Sequence, residues 1–215
     1  MTLREDIKKF QEEKYKDIPK ETMDIFMKAT EKLVSTGIAE RSLKKGDRIP
    51  MFSLSNIEGN EIFIKDLLDK GPVVISFFRG SWCPYCNLEF AALQKIYPEI
   101  KELGASLVSI SPSVSSESKK LITKHSLSFD LLSDKQNKVA KEFGLVFVLD
   151  STLRPLYEKF GIDIPKENGD ESYELPIPAT YVIDKKGNIV FSYVNADYTT
   201  RAEPSEILEV LKKFN

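Results

Sequence analysis

The stretch Val73-Val74-Ile75-Ser76-Phe77-Phe78-Arg79-Gly80-Ser81-Trp82-Cys83-Pro84-Tyr85-Cys86 decides the fold. Its first six residues are a near-continuous β-branched and aromatic run, the mark of a strand covered on both faces. From Pro84 to Leu103 the pattern is helical, with Leu88, Ala91, Ala92, Ile96 and Ile100 on one apolar face. Pro98 inside it predicts a kink near its middle to end. Both cysteines fall at the strand–helix junction. A Cys-x-x-Cys across a helix's first turn brings two sulfurs within disulfide reach, and the unpaired amides there stabilise a thiolate. Thiolate attacks peroxides and disulfides, so Cys83 and Cys86 are the first candidate catalytic residues. Arg79 is the third, as a nearby positive charge or a clamp on an anionic oxygen. The bland alternatives are two reduced structural cysteines with Trp82 and Tyr85 as core, half of a zinc site shared across a dimer, and, for Arg79, a surface ion pair.

The whole chain has 215 residues, 41% apolar and 30% charged, with 31 bases against 33 acids. That length suits one moderate domain or a domain with an appendage. Nearly cancelling charge provides no strong field for nucleic acid or an anionic membrane, so neither is expected as a partner. Two cysteines cannot form a framework of disulfides, and with a single histidine they cannot supply four zinc ligands. Met1 to Lys16 is studded with charges and lacks an apolar signal core, and the longest apolar runs are far too short to span a bilayer. The expected location is cytoplasmic, where a close thiol pair is more often redox-active than structural.

Residues 1 to about 36 read as two helices broken at Pro19, either packed on the main domain or forming a dimerisation arm. The expected division is a helical extension over 1–43 and a main domain over 44–215. Met51–Leu54 and Glu61–Ile64 form a hairpin signal around Ile57-Glu58-Gly59-Asn60. Strands follow at Ala105–Ile110 and Phe129–Leu132, separated by a helix ending near Lys124, and a helix is expected over Asp134–Phe143, closed by Gly144. Alternating strands and helices of this kind indicate an α/β fold with parallel crossovers. Leu145–Pro178 reads as a long loop with a short helix near Arg154–Phe160, functional or interface-forming by its length. A second hairpin pairs Ala179–Ile183 with Ile189–Val194, and Glu203–Phe214 is an amphipathic helix.

Trp82-Cys83-Pro84-Tyr85-Cys86 after a buried strand resembles the active site of the thioredoxin fold. The wider frame resembles the peroxiredoxins of the alkyl hydroperoxide reductase/thiol-specific antioxidant family. Gly46-Asp47-x-x-Pro50-x-Phe52-x-Leu54 is similar to that family's N-terminal motif. Leu131-Leu132-Ser133-Asp134, Val139-Ala140 and Phe143-Gly144 resemble its middle strand and turn, and Pro178 to Asp184 with Gly187 and Ile189 its late hairpin. The resemblance spans roughly residues 44–213. It implies a thioredoxin-like fold, a central mixed sheet flanked by helices, carrying an N-terminal β-hairpin. It also implies reduction of hydrogen peroxide or organic hydroperoxides through a Cys83–Cys86 disulfide, recycled by thioredoxin or a glutaredoxin-like dithiol, with no metal, flavin or haem cofactor. Pro178 matches the fold's cis proline facing the thiols; the alternative is a trans loop proline like Pro176. Trp82, Pro84, Tyr85 and Pro178 would then meet the substrate or the partner disulfide.

One departure leaves the attacking sulfur open. The usual peroxiredoxin site places proline, then Thr or Ser four residues later, then the peroxidatic cysteine three further on. Counted back from Cys86, this chain has Cys83 at the hydroxyl position and Arg79 at the proline position. Peroxiredoxin register names Cys86, and thioredoxin register names Cys83. The arginine expected before the late hairpin is absent from Leu175–Thr180, which makes Arg79 its substitute. Arg201 is expected to pair locally with Asp197, Glu89 to lie on a solvated helix face, and His125 to be charged or capping at a helix end. The competing functions are a general thiol–disulfide oxidoreductase and a redox-sensing binding module. The N-terminal helices and the 145–178 loop provide surface for a homodimer.

Overall fold

The computed structural model describes residues 2–214. Helices α1 (Leu3–Lys14) and α2 (Lys20–Ser35) come first, parted at Pro19, with the single turn α3 (Ile38–Arg41) after them. The hairpin strands are β1 (Ser53–Asn56) and β2 (Glu61–Phe63), and α4 (Ile64–Lys70) leads into β3 (Val73–Phe77). Then come α5 (Pro84–Glu102), β4 (Ser106–Ser111), α6 (Ser115–His125), β5 (Asp130–Ser133) and α7 (Lys138–Glu142). The region read as a loop holds β6 (Val146–Val148), α8 (Arg154–Lys159), α9 (Ile164–Asn168) and β7 (Glu174–Pro176). The chain closes with β8 (Ala179–Ile183), β9 (Ile189–Val194) and α10 (Pro204–Leu211).

The sheet has strand order β2-β1-β5-β4-β3-β8-β9, with β6 and β7 forming a separate antiparallel pair. Strand β3 is central, parallel to β4 and antiparallel to β8, and β4 is parallel to β5. All five residues of β3 are fully enclosed because both faces are covered. Val74 faces a core shared with Phe90 and Leu93 of α5, Ile207 of α10 and Leu3 of α1. Ile75 and Phe77 face the other core, with Phe143 and Tyr181. This is the mixed sheet between helices of a thioredoxin-like fold. Its first turn of α5 sits at the end of the most buried strand, where the thiols are.

The N-terminal helices differ in how they attach. Leu3 and Ile7 of α1 are buried in the core, and the amides of Leu3 and Arg4 donate to the Glu203 carboxylate at 3.1 and 2.7 Å. An acidic side chain at the start of a helix satisfies its orphan amides and complements its dipole. Helix α2 has no fully buried residue. Phe26 meets the Tyr157 and Phe160 rings, and Lys32 pairs with Asp150 at 2.7 Å.

Three expectations need correction. The helix expected from Asp134 begins only at Lys138, because Asp134 turns its carboxylate onto the amides of Val139 and Ala140 (3.0 and 2.8 Å), and Gln136 and Asn137 take left-handed backbone angles. The 145–178 loop is structured, with its own core of Leu149, Leu153, Tyr157, Ile164 and Leu175. Pro178 is not cis: the described residues contain no cis peptide bond. The chain runs from β7 almost directly into β8, with the Ile177 amide held by the Leu145 carbonyl at 2.8 Å, and this path suits the trans form that X-Pro bonds already favour. Helix α5 continues through Pro98 to Glu102.

Candidate active site

Where β3 ends, Phe78 still bonds to β4, its amide donating to Ile110 at 3.0 Å, and the chain then turns through Arg79 to Trp82. Gly80 is required by close approach, since a Cβ there would stand 2.3 Å from the Trp82 indole nitrogen. Cys83 is the N-cap of α5 and Pro84 its first helical residue, the position where a missing amide costs nothing. Asn87 ties this turn together, donating through Nδ2 to the carbonyls of Ser81 (2.8 Å) and Cys83 (2.9 Å). Its Oδ1 is therefore the acceptor for His125 Nε2 at 2.8 Å. His125 is thus a second support of the thiol turn. Burial, then Lys124, holds its pKa below the ordinary imidazole value, which disfavours the charged form of the charged or capping role expected at this helix end.

Both cysteines are free and fully enclosed. Burial opposes a thiolate at either position. At Cys83 this is outweighed by the Cys86 thiol donating to its sulfur and by the charges of Arg79 and Arg201, so its pKa lies well below the usual thiol range. Cys86 moves the other way, raised by burial and by the neighbouring Cys83 sulfur. A negative charge is therefore favoured at Cys83 and disfavoured at Cys86.

Arg201, expected in a local pair with Asp197, instead reaches the site. Its Nη2 stands 3.1 Å from Cys86 Sγ, its Nε is 2.5 Å from Glu89 Oε2, and its Nη1 donates to the Tyr198 and Thr200 carbonyls, each at 2.7 Å. Asp197 accepts from Thr199 instead. Glu89 is buried, not solvated, and its Oε1 accepts from Ser76 of β3 at 3.1 Å and Thr180 of β8 at 3.3 Å. Burial pulls Glu89 upward while Arg201 and the two hydroxyls favour its carboxylate form. The first turn of α5 lies against the sheet ends, so Glu89, one turn past Cys86, points inward. The signal in the chain is Ser76 and Thr180: hydroxyls in otherwise apolar buried strands need a polar partner.

Arg79 is 3% exposed, so it is no surface ion pair. Its guanidinium lies 4.1 Å from the Tyr198 ring centre and 4.8 Å from that of Trp82, as cation–π contacts hold a cation without a carboxylate. Despite burial it stays charged, held so by Tyr157 and the two cysteines. Trp82 is half-buried on Tyr157, with ring centres 5.4 Å apart, and Pro84 is exposed. Tyr85 is buried edge-to-face against Phe10 and Tyr198, with its hydroxyl on that of Tyr15. Pro178 is buried one residue before Ala179, the partner of Phe77, which puts it at the end of β3 that leads to the thiols.

The model of the AhpC/TSA family matches residues 45–192. The chain belongs to the AhpC/TSA family. The chloroplastic peroxiredoxin Q of Sedum lineare is 31% identical over 79% of this chain and 78% of its own. That of Triticum aestivum is 29% identical over 84% of this chain and 72% of its own. The fold is that of the peroxidoxin BcpB from Mycobacterium tuberculosis, with a TM-score of 0.63 at 24% identity over 80% of this chain and 99% of that one. As a family member with peroxiredoxin relatives, the chain is a peroxiredoxin-type thiol peroxidase, and its two neighbouring cysteines fit a disulfide cycle. The general oxidoreductase and the sensor are not favoured. The expected cytoplasmic location is corrected: both of these relatives are chloroplastic proteins. A thiol pair works wherever a dithiol reductant is supplied, so redox logic alone did not discriminate. Arg201, Tyr198, α1 and α2 all lie outside the matched span.

Proposed function

We propose that Cys83 is the thiolate that attacks the hydroperoxide and Cys86 the thiol that resolves it, with thioredoxin or a glutaredoxin-like dithiol restoring the pair. The observation that carries this reading is the asymmetry of the two sulfurs. Cys83 caps α5 within the influence of the Arg79 and Arg201 charges, whereas at Cys86, inside the first turn, the Arg201 contact is opposed by burial, the Cys83 sulfur and the Glu89 carboxylate. A negative charge is favoured at the first position and disfavoured at the second.

The Cys83 thiolate attacks one peroxide oxygen and the O–O bond breaks. Sulfur gains that oxygen as a sulfenic acid, and the other oxygen leaves with a proton as water or alcohol. Arg79, with Nε unpartnered, stabilises the charge that develops on the departing oxygen. The Cys86 thiol, held by Arg201, then attacks the sulfenic sulfur, forming the Cys83–Cys86 disulfide and releasing water. An external dithiol supplies two electrons and two protons by exchange. Exposed Pro84 and half-buried Trp82 are the surface this partner meets, with Tyr85 and Pro178 shaping the turn beneath. Residues 1–43 serve the 44–215 domain as an appendage.

The test is single-turnover mixing of reduced protein with peroxide in Cys83→Ser and Cys86→Ser, with a sulfenic acid trap. Cys86→Ser should react at near the native rate and accumulate trapped Cys83. If Cys83→Ser keeps the fast reaction instead, the roles are reversed.

A further inference from the structure

Beneath the N-terminal helices lies a cavity of about 220 Å³ beside the thiol turn, with Arg79, Trp82 and Pro84 in its wall. Its charge is one-sided. Two cations border it, buried Arg79 and exposed Lys14, and none of its described lining residues is acidic. We propose that this cavity is a site for a small monocarboxylate, taken up when the Cys83–Cys86 disulfide forms and given up when the thiols return. This rests on the disulfide cycle of the peroxidase reading above, whichever sulfur attacks.

Two observations point to an anion. The first is a pair of unused donors. Arg79 Nε and Trp82 Nε1 are buried and have no hydrogen-bond partner among the described residues. The guanidinium lies over the indole, 4.8 Å from its ring centre, so the two donors are neighbours. Buried N–H groups without acceptors are costly, and the two oxygens of a carboxylate would supply both. The second is a missing counter-charge. Arg79 is 3% exposed, and its close neighbours are the ring faces of Trp82 and Tyr198 and the Tyr157 phenol. Beyond those rings, the groups that favour its charge are the two cysteine sulfurs.

Arginine cannot shed its proton to escape burial. Its balance therefore depends on the negative charge of the thiols, and oxidation removes that charge. From one thiolate and one thiol, disulfide closure passes two electrons to the hydroperoxide. The peroxide oxygens leave as water and alcohol, with the thiol proton and one proton from solvent. The S–S bond is neutral, and Arg79 is left as an enclosed cation without a partner, a costly state that an incoming carboxylate relieves. The same guanidinium borders a second cavity under α2, but that wall already holds the Lys32–Asp150 pair, at 2.7 Å, and its acid opposes an anion. The linkage is reciprocal: a carboxylate that prefers the disulfide form shifts the thiol–disulfide equilibrium toward disulfide by the same factor.

Trp82 is the single tryptophan of the chain and stands in the cavity wall, so its fluorescence reports occupancy. Protein oxidised with diamide and protein reduced with a phosphine are titrated with sodium butyrate at fixed pH and ionic strength, with butyramide as the uncharged control. Butyrate should bind the disulfide form about tenfold more tightly than the reduced form, and butyramide should show no such preference. In saturating butyrate, the equilibrium with dithiothreitol, read by thiol alkylation, should shift toward disulfide by the same factor. Arg79→Gln should abolish the preference. Equal butyrate affinity in the two forms, a preference shared by butyramide, or an equilibrium that butyrate does not move overturns the proposal. These measurements use the native chain, so they decide the matter even if Arg79→Gln does not fold. They also need no peroxide. A chain that consumes no peroxide yet shows the butyrate preference loses the peroxidase reading and keeps the site, whereas an active peroxidase without the preference does the reverse. Failure of diamide to form the disulfide overturns both.

Discussion

Arg201 Nη2 lies 3.1 Å from Cys86 Sγ while the same guanidinium grips Glu89 at 2.5 Å, so a loop residue beyond β9 fixes the Cys86 sulfur against the sheet. Hydrogen bonds to charged groups contribute about 1.5–3 kcal/mol, which corresponds to roughly 10–100-fold in rate. Arg201→Met should slow disulfide formation by about that factor, read as accumulation of trapped Cys83 sulfenic acid. Arg201→Lys should not restore the rate, because one ammonium cannot reach the sulfur, the carboxylate and two carbonyls together. Full rescue by lysine would reduce the contact to simple charge.

The lowered Cys83 and raised Cys86 set the pH dependence. A thiolate is present only above its own pKa, so the peroxide step should be flat through neutral pH and fall on acidification through the lowered Cys83 value. Thiolate absorbance at 240 nm should show one thiolate at pH 7, with the second appearing only in strong alkali. In Arg79→Met the acid limb should shift upward, toward the ordinary thiol value. Two thiolates titrating together near that value would contradict this asymmetry between the sulfurs.

Glu89 and Arg201 are 5% and 2% exposed at their side chains. Removing one partner of a buried pair typically costs about 3–5 kcal/mol, because the other charge stays enclosed. Glu89→Leu should lower unfolding free energy in urea by that amount, and a loss below about 1 kcal/mol would mean that Arg201 finds other acceptors.

Much of this architecture is legible in the sequence. The run from Val73 to Phe78 announced a central strand because both its faces are covered, and the hairpins showed themselves through their glycine turns. The position of the thiols followed from the strand–helix junction. Arg201 and Glu89 were not legible in the same way. Arg201 lies in an irregular segment between β9 and α10, where no periodicity reports which way a side chain faces. Glu89 has the polarity of a solvated helix residue, and only the docking of α5 on Ser76 and Thr180 turns it inward. The start of α7 was misplaced because Asp134 captures two helix amides across the turn, a competition that local propensity does not register.

Asn87 closes the thiol turn by satisfying the carbonyls of Ser81 and Cys83. Asn87→Ala should cost about 1–2 kcal/mol, a fall in Tm of roughly 2–8 °C for a chain of this size. His125→Ala should reproduce part of that loss by freeing Asn87 Oδ1, and the two losses should not add. Simple additivity would show that His125 acts elsewhere.

Helix α2 packs Ile25, Phe26 and Ala29 against the same small core as Trp82, yet every one of its side chains remains in touch with solvent. With no fully enclosed side chain, such an element surrenders less apolar contact than the sheet when it lifts away, so its detachment is a local opening cheaper than unfolding the sheet. Amide hydrogens of residues 20–35 should exchange orders of magnitude faster than those of β3 while the protein stays folded. Such an opening would separate Phe26 from Tyr157 while the turn carrying the thiols stays held by Asn87.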